Sequence, residues 1–104
     1  IVRENSGLAM SSRNNYLSLD DREHCGKIYS CIQNLAESLK TSSVKIVRKR
    51  ATNFLKNAGF KIDYLEILDA DNLSKISDRT NKILIAVAVS YKKVRLIDNI
   101  LVSL

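Results

Sequence analysis

Proline and tryptophan are absent from this sequence of 104 residues, and glycine occurs only three times. With no proline- or glycine-rich stretch there is no low-complexity linker, and no internal repeat divides the chain. The expectation is one domain with one core, spanning residues 1–104. Histidine is single (His24), and the two cysteines, Cys25 and Cys31, form no Cys-x-x-Cys pair. A metal centre supplied by this chain is therefore not expected. His24 reads as an exposed surface residue near a helix start. Six residues along a helix rise ~9 Å, beyond the ~7 Å Cα separation that a disulfide tolerates. Both cysteines thus read as reduced thiols, as in a cytosolic-type compartment. No apolar run approaches the ~20 residues of a membrane helix. Arg3, Glu4 and the polar residues after them do not read as a secretory signal. The first residue is Ile1 rather than methionine, and we read the sequence as a piece of a longer protein, without its partner domain.

The composition, 45% hydrophobic and 27% charged, suits a globular, soluble domain. Residues 1–17 read as an extended or loop segment, and 18–104 as an α+β domain. Ser18 is placed to cap a helix, with Asp20, Asp21 and Glu23 at its positive end. The stripe Cys25, Ile28, Tyr29, Ile32, Leu35, Ala36 and Leu39 carries that helix to about Lys40–Thr41. A second helix is capped by Ser42 or Ser43, buries Val44, Val47, Ala51, Phe54, Leu55 and Ala58, and stops at Gly59. Its other face, with Lys45, Arg48, Lys49, Arg50 and Lys56, reads as solvated. Lys61–Asp69 reads as a strand. Asp69 to Asn72 is turn chemistry, and Leu73–Asp78 a polar connector with room for one helical turn. Ile83–Val89, continuously apolar, reads as a central strand buried on both faces. Lys92–Lys93 marks a tight turn into a return strand, Val94–Asp98. The pattern implies two helices packed on one face of a small, mainly antiparallel three-stranded sheet, preceded by the extended loop.

The chemistry concentrates in that loop. Gly7-Leu8-Ala9-Met10-Ser11-Ser12-Arg13-Asn14 combines a glycine able to bend the backbone, two hydroxyls, a run of N–H groups and a planar guanidinium. Together these donors suit anionic oxygens such as those of phosphate. The net charge of +6 fits an anionic partner without choosing one. From the residues alone, a basic nucleic-acid-binding module and a structural docking domain stay open. No aromatics are interleaved with the basic residues for base stacking, which counts against the first. Asp69 and Asp71 read as turn formers, and Asp98–Asn99 as local backbone hydrogen bonding at a strand end.

Val2-Arg3-Glu4, the Gly7–Asn14 run and Tyr16-Leu17-Ser18 resemble the pantoate–β-alanine ligase (pantothenate synthetase) family. So do Asp63-Tyr64-Leu65-Glu66-Ile67, Asp69-Ala70-Asp71 and Arg95-Leu96-Ile97-Asp98-Asn99, in the same order and over essentially the whole chain. Departures are modest. Ser6 stands where an acidic residue often precedes the glycine, Leu19 where proline is common, and Lys92–Lys93 lacks the usual turn glycine. The resemblance implies a two-step reaction. ATP and pantoate give pantoyl adenylate and pyrophosphate, and the amine of β-alanine then yields pantothenate and AMP, with Mg2+ required. It also implies that this chain is the C-terminal domain of a cytoplasmic, homodimeric enzyme. The Rossmann-like N-terminal domain, with its His-x-Gly-His-type motif, pantoate pocket and dimer contacts, would lie outside it, leaving these residues inactive alone. In the family the Met-Ser-Ser-Arg run plays the part of the Lys-Met-Ser-Lys-Ser loop of related nucleotidyl transferases. By motif position Met10, Ser11, Ser12 and Arg13 would bind ATP, and Val2 would contact adenine through its backbone. Arg13 would stabilise charge developing on the phosphates. No metal ligand, no nucleic acid and no membrane partner is implied.

Overall fold

The computed structural model describes residues 1–103. Ser18 caps α1 (Leu19–Cys25), its hydroxyl accepting from the Asp21 N–H, with Asp20 and Asp21 against the positive helix end. The stripe read as one helix is interrupted at Gly26, and α2 (Lys27–Ser38) continues beyond it. The Ser6 carbonyl crosses there, and a Cβ on Gly26 would lie 2.4 Å from its oxygen. α3 (Val44–Asn57) is capped by Ser43, which accepts from the Ile46 N–H, and the chain turns out of it through Gly59.

Three strands follow in spatial order β1 (Lys61–Asp69), β2 (Lys82–Tyr91), β3 (Val94–Ser103), all antiparallel. The expected α+β layering is observed: α2 lies over β3 and α3 over β1. Leu65, Ile67, Ile83, Ile85, Val87, Val89 and Leu96 meet Ile28, Ile32, Leu35, Val47 and Leu55 in one buried core. Among the described residues, no layer covers the other sheet face.

Several elements differ from the sequence reading. β2 is central, but Leu84 and Ala86 on its open side are only half covered; Ala88, between Tyr64 and Ile97, is buried. β3 runs to Ser103 rather than Asp98, because Ile100 and Val102 keep the inward alternation opposite Ile85 and Ile83. A short 3-10 helix, Ser12–Tyr16, interrupts the segment read as extended. No helical turn forms in 73–78, where Asn72 and Ser77 side chains hold the local backbone instead. His24 is half-buried rather than exposed. Its ring stacks on Phe60 and Tyr91, and its Nε2–H donates to the Ala58 carbonyl at 2.6 Å. The basic face of α3 is mostly solvated, but Arg48 turns inward to donate to the Leu65 carbonyl at 2.7 Å. Cys25 and Cys31 are buried free thiols, each pushed up to about 11 by burial.

The β2–β3 turn places both Lys92 (φ 48°) and Lys93 (φ 67°) in the left-handed region, a conformation that two-residue hairpins require and a Cβ resists. Lys92 is also bonded to Asp21 at 2.9 Å. Lys93→Gly is therefore expected to raise stability by about 0.5 kcal/mol, relief of Cβ strain exceeding glycine's added chain entropy. Urea unfolding measures it, and a lower midpoint would contradict this reading of the turn.

Candidate functional site

The donor-rich segment is a fastened hairpin. Residues 2–10 fold back on themselves, with Met10 N–H donating to the Val2 carbonyl (2.9 Å) and Glu4 N–H to the Leu8 carbonyl (2.8 Å). At the tip, Gly7 adopts φ 98° and packs against Tyr29, where a Cβ would come within 2.8 Å of the ring. Glycine is needed here both for the backbone angle and for the space.

Side chains beneath the hairpin hold it down. Arg3 donates two hydrogen bonds to Asp98, at 2.6 and 2.8 Å, and a third to the Gly7 carbonyl. Its guanidinium carbon lies 3.6 Å from the centre of the Tyr29 ring. Asp98 is 4% exposed, and a carboxylate buried this deeply needs such a partner. The hydrogen bond to Asp98 holds the Arg3 guanidinium above its ordinary value. Glu4 accepts from Arg22 (2.7 Å) and from Asn14 Nδ2 (2.7 Å). Chiefly through the Arg22 hydrogen bond, its carboxyl stays below the usual range. Asn14 is buried and also donates to the Ala9 carbonyl; its Oδ1 has no hydrogen-bond partner. Leu8 reaches into the core.

Asp98 is thus a long-range anchor rather than only a local strand-end bond, although it does also accept from the Asn99 N–H. Sequence reasoning missed Arg3, Glu4, Asn14 and Asp98 as anchors. A signal existed: Leu96, Asp98, Ile100 and Val102 share the inward parity of β3, and a carboxylate there must be paired. Asp69 acts as a turn former, accepting from the Asp71 N–H and the Thr80 hydroxyl.

On this support the candidate residues face outward. Ser11 caps the 3-10 helix, its Oγ accepting from the Arg13 N–H at 3.2 Å. Ser11 and Arg13 line an open cleft of about 270 Å³ between the 3-10 helix and β3, together with Asn14, Arg95, Ile97 and Asp98. Ser12 is exposed at the first turn of the 3-10 helix. Val2 and Met10 are exposed on the hairpin strands, 71% and 57%. Met10 lines a separate groove, beside Leu19 and Arg22. The structure therefore brings Ser11 and Arg13 together in one cleft, while Val2, Met10 and Ser12 are exposed and do not line it. No group of three or more His, Cys, Asp or Glu side chains able to hold a metal ion occurs among the described residues.

Fold and cleft together define an α+β domain that presents a donor-rich face without enclosing a complete site. The family model described as pantoate-beta-alanine ligase matches residues 1–101, and the chain belongs to that family. The pantothenate synthetase of Vesicomyosocius okutanii is 45% identical over 102 residues, covering 97% of this chain and 36% of the relative. That of Bacillus subtilis is 36% identical over 105 residues, covering 99% and 37%. The crystal structure of pantothenate synthetase from Thermus thermophilus superposes with a TM-score of 0.81 at 34% identity, over 95% of this chain and 37% of that one. The chain spans little more than a third of the length of the curated relatives it matches.

Two outcomes are expected of the anchoring. In a helix, Gly→Ala ordinarily stabilises by about 1 kcal/mol. Gly26→Ala is expected instead to destabilise by about 1–3 kcal/mol, the added methyl colliding with the Ser6 carbonyl; a rise in the denaturation midpoint would contradict the close approach. Glu4 binds its proton less readily folded than unfolded. Its stabilisation is thus complete above the ordinary glutamate value, about 4.5, and is lost as pH falls through its lowered folded value. Acid titration of stability is expected to be shallower below about 4.5 in Glu4→Gln than in the parent chain, and equal slopes would exclude this coupling.

Proposed function

We propose that this chain is the ATP-facing C-terminal domain of a pantoate–β-alanine ligase, with 1–17 as the ATP-loop segment and 18–104 as the α+β support. The reaction has two steps. The pantoate carboxylate attacks the α-phosphorus of ATP, forming pantoyl adenylate and releasing pyrophosphate. The β-alanine amine then displaces AMP to give pantothenate, a step in pantothenate and coenzyme A biosynthesis. Family membership supports the reaction class. The observation that carries the local role is the exposed Ser11–Arg13 turn, held by a hairpin whose own charged anchors are internally paired.

In this reading Ser11 keeps its hydroxyl hydrogen for a phosphate oxygen, because its Oγ already accepts from the Arg13 N–H. The Arg13 guanidinium, exposed and in no ion pair among the described residues, faces the charge that grows on the departing pyrophosphate. Ser12 adds a hydroxyl and an N–H. Met10 and the Val2 backbone border the adenine end. Among the described residues no cluster of carboxylates could cage the family's Mg2+, and Asp98 and Asp69 are committed to Arg3 and to Thr80. It would enter on the phosphates of ATP. The proposal places pantoate, β-alanine and the homodimer contacts on an N-terminal domain, the enzyme in the cytoplasm, and these residues alone as inactive. A nucleic-acid role has little support, since Tyr64 is the only aromatic on the open sheet face among the described residues.

In the complete ligase, Arg13→Ala is expected to lower kcat by about 10²–10³, the loss of one preorganised charge donor. Unchanged kcat with only a raised KM for ATP would remove Arg13 from the reacting centre.

A further inference from the structure

The cleft beside Ser11 and Arg13 is lined by a second arginine to which nothing so far assigns a role. Its one lining carboxylate, Asp98, is already bonded twice by Arg3 and once by the Asn99 N–H. Asp98 thus has little left to offer another cation, and Arg13 and Arg95 are the cleft's remaining charges. Arg95 is engaged elsewhere: its Nη2 donates to Asp63 Oδ2 at 2.6 Å. That partner reaches it through an irregularity. The β1–β2 register shifts between Ile62 and Tyr64, leaving Asp63 as the extra residue of a bulge, and bulges re-aim side chains. Arg95 stands opposite Ser90 of β2, whose small side chain leaves the path to Asp63 open.

The pair is exposed, Arg95 at 46% and Asp63 at 55%, and such pairs contribute little. A polyphosphate offers a planar guanidinium more charge and several acceptor oxygens at once. Exchange of one exposed carboxylate for a polyphosphate in the adjoining cleft is therefore favourable. We propose that Arg95 is a second phosphate-binding arginine of the Ser11–Arg13 cleft, held by Asp63 when the cleft is free and transferred to the polyphosphate when one enters. This rests on the reading of the Ser11–Arg13 turn as a phosphate site.

The test is an NMR titration of this chain with inorganic pyrophosphate at low ionic strength, comparing the parent with Arg95→Gln, Asp63→Asn, Arg13→Gln and Lys49→Gln. Lys49 is exposed on α3 and controls for the loss of one positive charge. Arg95→Gln and Asp63→Asn remove the same ion pair, so a purely structural role moves both in the same direction. The proposal moves them apart: Arg95→Gln weakens binding by roughly three- to tenfold, and Asp63→Asn tightens it by about two- to fivefold, the competition of an exposed carboxylate. Lys49→Gln stays within about twofold of the parent, as screened distant charges should. If Arg13→Gln weakens binding while Arg95→Gln and Asp63→Asn match the parent or shift together, the Arg95 proposal is overturned and the phosphate reading stands. If pyrophosphate causes no saturable shift in the parent, or Arg13→Gln and Arg95→Gln weaken binding no more than Lys49→Gln, both fall.

Discussion

The pairing of Arg3 with Asp98 is the contact on which the rest of the site depends. It joins the N-terminal hairpin to the inward side of β3, and both of its charges are largely removed from solvent. A buried pair of this kind contributes little net stability compared with an apolar contact, but removing one partner leaves an uncompensated charge at a cost of about 3–5 kcal/mol. Its contribution is therefore to placement. With Arg3 bonded to both Asp98 oxygens and lying against Tyr29, the hairpin has one way to lie on the domain, and the turn at Ser11 inherits that orientation.

Several arginines of the chain divide accordingly. Arg3, Arg22 and Arg48 are bonded to Asp98, Glu4 and the Leu65 carbonyl and serve the fold. Arg13 faces solvent and Arg95 holds only an exposed partner. Of the carboxylates, Glu4 and Asp98, which hold the hairpin, are taken up by the first group. The face left over is cationic by subtraction, which a count of charges along the sequence does not reveal. The net charge of +6 is spread over the molecule; what distinguishes the Ser11–Arg13 cleft is that its one lining carboxylate, Asp98, is already occupied.

The helices and strands were legible because their periodicities are local. The stripe from Cys25 to Leu39 and the apolar run from Ile83 to Val89 each carry their own evidence. The Lys92–Lys93 turn was legible by position although its residues are poor formers of it. What escaped depends on partners distant in sequence. His24 looked like a surface residue because Phe60, Tyr91 and the Ala58 carbonyl, which half-bury it, come from other segments. β3 was cut short because Asp98 and Asn99 look like a strand's end, when Asp98 is an inward position satisfied by Arg3. The break at Gly26 follows from Ser6 passing overhead, which no helical pattern encodes. The candidate residues themselves were readable as a motif, whereas the scaffold that aims them was not.

Arg3 and Asp98 stand 95 positions apart, so their contact closes nearly the whole chain into a single loop. Contacts of such separation form only after the intervening strands have brought the ends together, because closure entropy must first be offset by nearer pairings. Asp98 reaches its inward position through the β2–β3 hairpin, so the Arg3–Asp98 contact requires that pairing to be in place. The same order run backwards makes the rim an early region to open under stress. The Ser11–Arg13 turn is thus coupled to the completeness of the fold: a partly formed domain presents no oriented rim, and the turn takes its place only once the sheet beneath it is finished.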